Sequence, residues 1–190
     1  HQVILLPGFF QPASALERLR ARLEAAGHSA RIVAFEGIGP YSVRPVEALV
    51  RQLDAALKTP AVLVGHSLGG LVARAFAQGV GADRVEGVVT LGTPHRGTPT
   101  ALIGVLMGFG LMRSSIYELL PYSRLVRSLR PLPVPLVSLY SRADLVCPWW
   151  CSRLSSEVGL NLELRGVGHT ELLEHARVFN ALRTLLEDWA

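Results

Sequence analysis

The chain has 190 residues, 49% of them hydrophobic, with two cysteines and a formal net charge of +4. This length and apolar content suit one domain with a substantial core, residues 1–190, and exclude a disordered chain or a repeat array. The 19 basic residues include a single lysine, Lys58, and the arginines are scattered without interleaved aromatics, which argues against a nucleic-acid partner.

Apolar and amphipathic segments alternate from the first residues onward. Val3–Leu6 reads as a strand. Ser14, with Glu17 three residues on, has the spacing of a capping box. Leu16, Leu19, Leu23 and Ala26 form one face of the helix that follows, and Gly27 ends it. Ala30–Phe35 is a second strand. Pro45 opens a helix that turns Val46, Leu49, Leu53 and Leu57 inward and stops before Pro60. A buried strand, Ala61–Val64, and a helical run, Leu71–Ala77, come next, then strands at Val85–Leu91, Val134–Tyr140 and Leu160–Leu164. The last helix presents Leu172, Ala176, Phe179, Leu182 and Leu186. Strands alternating with helices predict an α/β fold, a mostly parallel six-stranded sheet covered on both faces.

Residues 93–133 interrupt that rhythm. They contain Ala101–Met112, which carries no charged or hydrogen-bonding side chain, and an arginine-rich helix candidate around Ser123–Arg130. The apolar stretch is shorter than the roughly 20 residues needed to span a bilayer, so no transmembrane segment is expected. Long connections in compact domains are often functional. The segment reads as a small helical lid or acyl-binding wall, or else as an ordinary connecting helix.

The chemistry concentrates in Gly65-His66-Ser67-Leu68-Gly69-Gly70. A G-x-S-x-G pattern between a buried strand and a helix is the setting of a nucleophile elbow. Gly65 and Gly69 leave room for a turn so tight that Ser67 must adopt a strained backbone, with its hydroxyl above the sheet at a helix N-terminus. A serine is a weak nucleophile alone, so a base and an acid are required, in chain order Ser, Asp or Glu, His. His169 lies on the glycine-rich loop Gly166-Val167-Gly168 after the last strand. His66 is expected to point away from the exposed face of the elbow, His175 to lie inside the last helix, and His1, His28 and His95 to lie elsewhere. Asp144 follows the end of Val134–Tyr140, at the carboxyl edge where open α/β sheets build their sites. It is placed to orient His169 and stabilise the imidazolium. Asp54, Asp83 and Asp188 lie in helices or a helix–strand turn and suit the role less well.

With these motifs in the right order, the chain resembles the α/β-hydrolases, and among them the small bacterial lipases and esterases. Leu91-Gly92-Thr93-Pro94-His95-Arg96-Gly97-Thr98 is similar to a segment common in lipases after the strand that follows the elbow. Leu6-Pro7-Gly8-Phe9-Phe10 sits where such lipases carry His-Gly-x, with Pro7 in the place of the histidine. The resemblance implies a minimal hydrolase core that lacks the first two antiparallel strands. It also implies an oxyanion hole from the backbone N–H groups of Phe9 and Leu68. The expected activity is a serine carboxyl-ester hydrolase acting through an acyl-enzyme, with Ser67, Asp144 and His169 as the catalytic triad. A thioesterase or acyltransferase with the same triad is the nearest alternative. A haloperoxidase-type or C–C hydrolase and a silent binding module on the same scaffold stand further off.

Phe10, Leu106, Phe109 and Trp149 are the candidate substrate contacts. The expected partner is an acyl-ester or lipid substrate, with a transient lipid-interface contact through the apolar stretch. No cofactor and no metal is expected, since no acidic cluster suggests calcium. Cys147 and Cys151, four apart beside Asp144, leave a disulfide and free thiols both open; zinc would need further ligands nearby. The chain starts at His1, so a lost native N-terminus is expected, and a bacterial compartment, cytoplasmic or secreted, stays open.

Overall fold

The computed structural model describes residues 1–36, 44–107 and 115–189. Six strands form one sheet: β1 (Gln2–Leu6), β2 (Ser29–Ile32), β3 (Ala61–His66), β4 (Val85–Leu91), β5 (Leu136–Tyr140) and β6 (Leu160–Glu163). Their order across the sheet is β2-β1-β3-β4-β5-β6, and every pairing is parallel. Parallel neighbours need crossovers, and helices supply the first three, α1 (Glu17–Ala25), α2 (Val46–Ala56) and α3 (Leu68–Ala77), while α7 (Ala176–Asp188) follows the last strand and packs back on the sheet. Three short helices, α4 (Thr100–Leu106), α5 (Arg124–Ser128) and α6 (Trp149–Ser152), belong to the connections around β5.

The two-residue period of each strand sorts its side chains between two cores. Val3, Leu5, Val62, Val64, Val89 and Leu139 face α1 and α7, where they meet Leu19, Leu23, Val178, Leu182 and Leu186. Ile4, Leu6, Leu63 and Val88 face α2 and α3, against Leu49, Leu53, Val72 and Phe76. Fully burying each such leucine or valine stabilises the fold by about 1.5–3 kcal/mol, so the continuous apolar runs of β1 and β3 mark strands covered on both sides.

Some local expectations shift. The capping box at Ser14 does not form. Pro12 starts a short 3₁₀ turn over Ala13–Leu16, which takes Ser14 into the turn, and α1 begins only at Glu17 without a side-chain cap. Glu17 pairs with Arg20 instead. The second strand is shorter than its apolar run, since Val33 and Phe35 are buried by the core beyond the end of β2. Ala26, one residue past α1, is exposed. Ala176 is exposed too, because Leu172 belongs to a separate 3₁₀ turn and α7 restarts the phase with Val178, Leu182 and Leu186 inside.

The topology decides where a site can lie. From β1 the chain steps outward to β2, then returns over β1 to β3. The loops after β1 and β3 therefore meet at the carboxyl edge, at a topological switch point, which is the crevice an open α/β sheet offers to a ligand.

Candidate active site

Ser67 stands between β3 and α3 with φ 51° and ψ −119°, a left-handed conformation that an L-residue adopts only under constraint. The constraint is visible on both sides. A Cβ on Gly65 would collide with the backbone of Gly69 and Gly70, and one on Gly69 with the Leu6 and Pro7 carbonyls. The turn is tied down as well: the Ser67 amide donates to the Leu91 carbonyl at 2.9 Å, and the Thr93 hydroxyl donates to the Ser67 carbonyl at 2.9 Å. Leu68 is the first residue of α3, so its amide lies at the positive end of the helix dipole. Phe9 comes from the neighbouring β1 loop and lines the same cavity as Ser67.

Asp144 and His169 arrive from the loops after β5 and β6. His169 Nδ1 lies 2.7 Å from Asp144 Oδ2. The other carboxylate oxygen, Oδ1, accepts from the amides of Val146 (2.9 Å) and Cys147 (2.7 Å), so the carboxylate has little rotational freedom. Asp144 is 2% exposed, while His169 opens onto the cavity beside Ser67. Gly92 makes room for the pair: with φ +55°, it would place a Cβ 2.8 Å from Asp144 Oδ2. Glu171, the other nearby acid, accepts from the Gly168 amide at 2.8 Å and so shapes the histidine loop.

Four residues beyond the expected set hold this arrangement. His66 does not point away from the site. Its ring lines the cavity 4.6 Å from the His169 ring, with Nε2 2.9 Å from the His169 carbonyl and Nδ1 3.0 Å from Gln11 Oε1. Gln11 Oε1 also accepts from the Gly8 amide at 2.8 Å, so one chain of polar contacts links the β1 loop to the histidine loop. Burial, and secondarily the His169 charge, pushes the His66 pKa down to about 3, so its ring is neutral at physiological pH. A neutral imidazole has one N–H and donates to only one of these two acceptors at a time. Ser141 is the third: its hydroxyl oxygen accepts from the amides of Ala143 (3.1 Å) and Val167 (3.2 Å), and so joins the acid loop to the histidine loop. Thr93 is the fourth. His66 adjoins the nucleophile and Thr93 lies in a segment already singled out, whereas Gln11 and Ser141 carry no sequence signal.

The cavity above Ser67 has a volume of about 550 Å³. Phe9, Phe10, Ala101, Ile116, Leu119 and Val146 form much of its wall, and among the described residues no Asp, Glu, Lys or Arg lines it. Phe10 lines this cavity at φ 56°, edge-on to Phe9 with ring centroids 4.5 Å apart. The other three substrate contacts do not gather here. Helix α4 turns Ala101 and Gly104 to the cavity and Leu106 away, leaving Leu106 78% exposed. Phe109 lies outside the described residues. Trp149 opens α6 after Pro148, and with Trp150 it lines a separate groove with Arg153. Nearness in sequence to Asp144 did not bring it to Ser67, because the chain bends over residues 145–147 before Pro148 leads into α6.

Of the described residues in 93–133, Thr98, Thr100, Ala101, Gly104, Ile116 and Leu119 are among those that line the cavity. The Thr98 and Thr100 hydroxyls donate to the Val146 carbonyl at 3.1 and 2.6 Å, tying α4 to the Asp144 loop. Leu102, Ile103, Leu106 and Met107 are exposed on α4 or at its end. Ser123 caps α5, its oxygen accepting from the Val126 amide at 3.2 Å. Cys147 and Cys151 are both buried free thiols, and burial pushes both pKa values up, so they are protonated and unreactive. His175 is the N-cap of α7 rather than an interior residue. Among the described residues, no three His, Cys, Asp or Glu side chains converge as a metal site, and no helix is long and apolar enough to cross a membrane.

A strand–elbow–helix serine, an acid loop after β5 and a histidine loop after β6 on a parallel sheet define the α/β-hydrolase class of fold. The family model described as the alpha/beta hydrolase family matches residues 3–123, and the chain belongs to that family. No curated protein sequence matches it significantly. Among solved structures, it is similar to the monoacylglycerol lipase of Paleococcus ferrophilus, with a TM-score of 0.72 and 18% identity over 99% of this chain and 93% of that one. An esterase from Exiguobacterium antarcticum gives a TM-score of 0.78 with 17% identity, covering 98% and 92%. A bromoperoxidase from Bacillus anthracis gives 0.80 with 18% identity, covering 98% and 91%. At these identities the likeness concerns the fold, and the activity has to be argued from the site.

Proposed function

We propose that this protein is a serine carboxyl-ester hydrolase of lipase or esterase type. The observation that carries the reading is the Asp144–His169 contact at 2.7 Å opening onto the same apolar cavity as the strained Ser67. His169, with Nδ1–H held by Asp144, presents Nε2 as the base that takes the Ser67 proton. Ser67 Oγ then attacks the acyl carbonyl, and the charge that develops on oxygen is received by the Phe9 and Leu68 amides, a pair of donors worth roughly 3–4 kcal/mol each in comparable sites. The imidazolium stabilised by Asp144 returns its proton to the leaving alcohol, which departs and leaves the acyl-enzyme. Water activated by the same histidine then cleaves the acyl-enzyme.

The uncharged wall suits an acyl chain, and each buried methylene adds up to about 0.8 kcal/mol of binding. Medium or longer acyl esters are therefore the favoured substrates over acetate. The exposed Leu102, Ile103, Leu106 and Met107 give α4 an apolar outer face near the cavity, suited to contact with aggregated ester. Labelling of Ser67 by a fluorophosphonate tests the nucleophile and separates an enzyme from a silent scaffold. A panel of p-nitrophenyl esters from acetate to laurate, run beside acyl-CoA thioesters, tests the substrate class. Faster turnover of the thioesters would move the assignment to a thioesterase, and labelling without turnover of either would move it to another acyl acceptor.

A further inference from the structure

A second polar centre lies away from the ester cavity. Arg74 sits on α3, two turns and roughly 10 Å along the helix from Ser67, and is only 3% exposed. Its NH1 donates to His95 Nδ1 at 3.1 Å and its NH2 to the Arg130 carbonyl at 3.1 Å, while its Nε is buried without a partner among the described residues. Burial, with the Arg74 and Arg96 charges beside it, holds the His95 pKa well below the usual value, so this ring is neutral. With Nδ1 accepting, His95 Nε2–H donates to the Thr90 hydroxyl at 2.9 Å, which in turn donates to the Val137 carbonyl at 3.4 Å. Every contact in this chain carries donors away from Arg74, and none returns a negative charge. Among the described residues no carboxylate pairs with Arg74, whereas the less buried Arg20, Arg51 and Arg84 each have at least one.

Arg74 and His95 line a cleft of about 150 Å³ that also carries Arg96, Arg153 and Ser155, with no Asp or Glu in its wall. Arg96 and Arg153 likewise have no ion-pair partner among the described residues. Three arginines thus line one small opening, and the one that is deeply buried has no charged partner among the described residues, which is unfavourable unless an anion joins it.

We propose that this cleft binds a phosphate-type oxyanion, either as the free ion or as the phosphoryl group of a small metabolite. A tetrahedral oxyanion offers several acceptor oxygens to guanidinium forks, and the Ser155 hydroxyl adds a donor. The cleft holds about five water volumes at ~30 Å³ each, room for the five heavy atoms of a phosphate. It shares Arg96, Arg153 and Ser155 with the larger groove bearing Trp149 and Trp150, where Arg153 lies 5.8 Å from the Trp149 ring. A phosphate carried on a flat heterocycle has a stacking surface there. The cleft and the ester cavity have no lining residue in common, so occupancy does not block the ester site.

The test is isothermal titration of the full chain with sodium phosphate and, separately, with AMP, chloride being exchanged to keep ionic strength constant. Saturable phosphate binding is expected, together with a rise in melting temperature that chloride does not produce. Arg96→Gln and Arg153→Gln, both at exposed positions outside the core, should each weaken binding about tenfold or more, and Arg74→Gln should abolish it. AMP binding tighter than phosphate identifies a nucleotide-like source using the tryptophan groove; AMP binding no tighter identifies the free ion. Binding no stronger than that of chloride, or unchanged in the Arg96 and Arg153 variants, overturns the proposal.

Discussion

The rim of the sheet around Ser67 and helix α4 beside it are built on opposite principles. At the rim, nearly every position is fixed by directed contacts: Asp144 uses both carboxylate oxygens, Ser141 joins two loops, and Thr93 holds the Ser67 carbonyl. Helix α4 is anchored at its start by Thr98 and Thr100, and its outer face is left to solvent as Leu102, Ile103 and Leu106. Proton transfer and charge stabilisation need sub-ångström placement, which only buried hydrogen bonds supply. Choosing an acyl chain needs area and volume, which apolar side chains supply without fixed geometry. The two regions should therefore respond differently to substitution.

The largest effect is expected at the rim. Ser67→Ala should lower ester turnover by about 10⁴-fold or more, and Asp144→Asn by a comparable order, while circular dichroism shows a folded protein. Near-normal activity in Asp144→Asn would hand the orienting role to another acid and break the contrast at its centre.

His66 tests whether the rim extends beneath Ser67, Asp144 and His169. His66→Ala should reduce kcat by about 10- to 100-fold with little change in KM, because it frees the His169 backbone and the Gly8–Gln11 turn together. Gln11→Ala should give a smaller loss of the same kind. A change of twofold or less in both would reduce this contact chain to simple packing.

The same residue makes stability depend on pH. His66 is neutral in the fold down to about pH 3 but protonates near pH 6.5 when unfolded, so the unfolded chain binds more protons between those values. Stability is whole above pH 6.5 and falls as the pH drops toward 3, by up to about 1.4 kcal/mol per pH unit for this group. His95, held low by burial, adds in the same direction. Denaturant midpoints measured from pH 4 to 7 should show the slope, and His66→Asn should flatten it; an unaltered slope would mean that other groups govern acid stability.

At the apolar wall the effects are smaller and selective. Gly104→Leu, on the cavity side of α4, should cut activity on long acyl esters while sparing acetate. Leu106→Asp, on the outer face, should leave soluble short-ester turnover intact and weaken only the action on aggregated long-chain ester. Equal losses on all chain lengths in either variant would show that α4 serves the rim rather than the wall.

Legibility in the sequence follows the same division. The elbow could be read because a turn that tight tolerates only glycine at positions 65 and 69, and it lies between an apolar run of strand length and a run of good helix formers. Asp144 and His169 could be placed because both follow apolar runs of strand length in the chain order such sites use. Trp149 misled because adjacency to Asp144 says nothing of direction once the chain bends over residues 145–147. Leu106 misled because a stretch that is apolar all round gives no phase, so the face toward the cavity was decided by where α4 docks.

By itself, then, the amino-acid sequence determined the alternation of strands and helices, the parallel sheet and the loops that carry Ser67, Asp144 and His169, since these rest on short-range periodicity and local steric demands. Tertiary structure alone decided the contact chain from Gln11 through His66 to His169, the Ser141 link between two loops, the facing of α4 and the gathering of Arg74, Arg96 and Arg153. Each of these joins residues distant in the chain through side-chain directions, and the strand order and packing of the folded molecule set those directions.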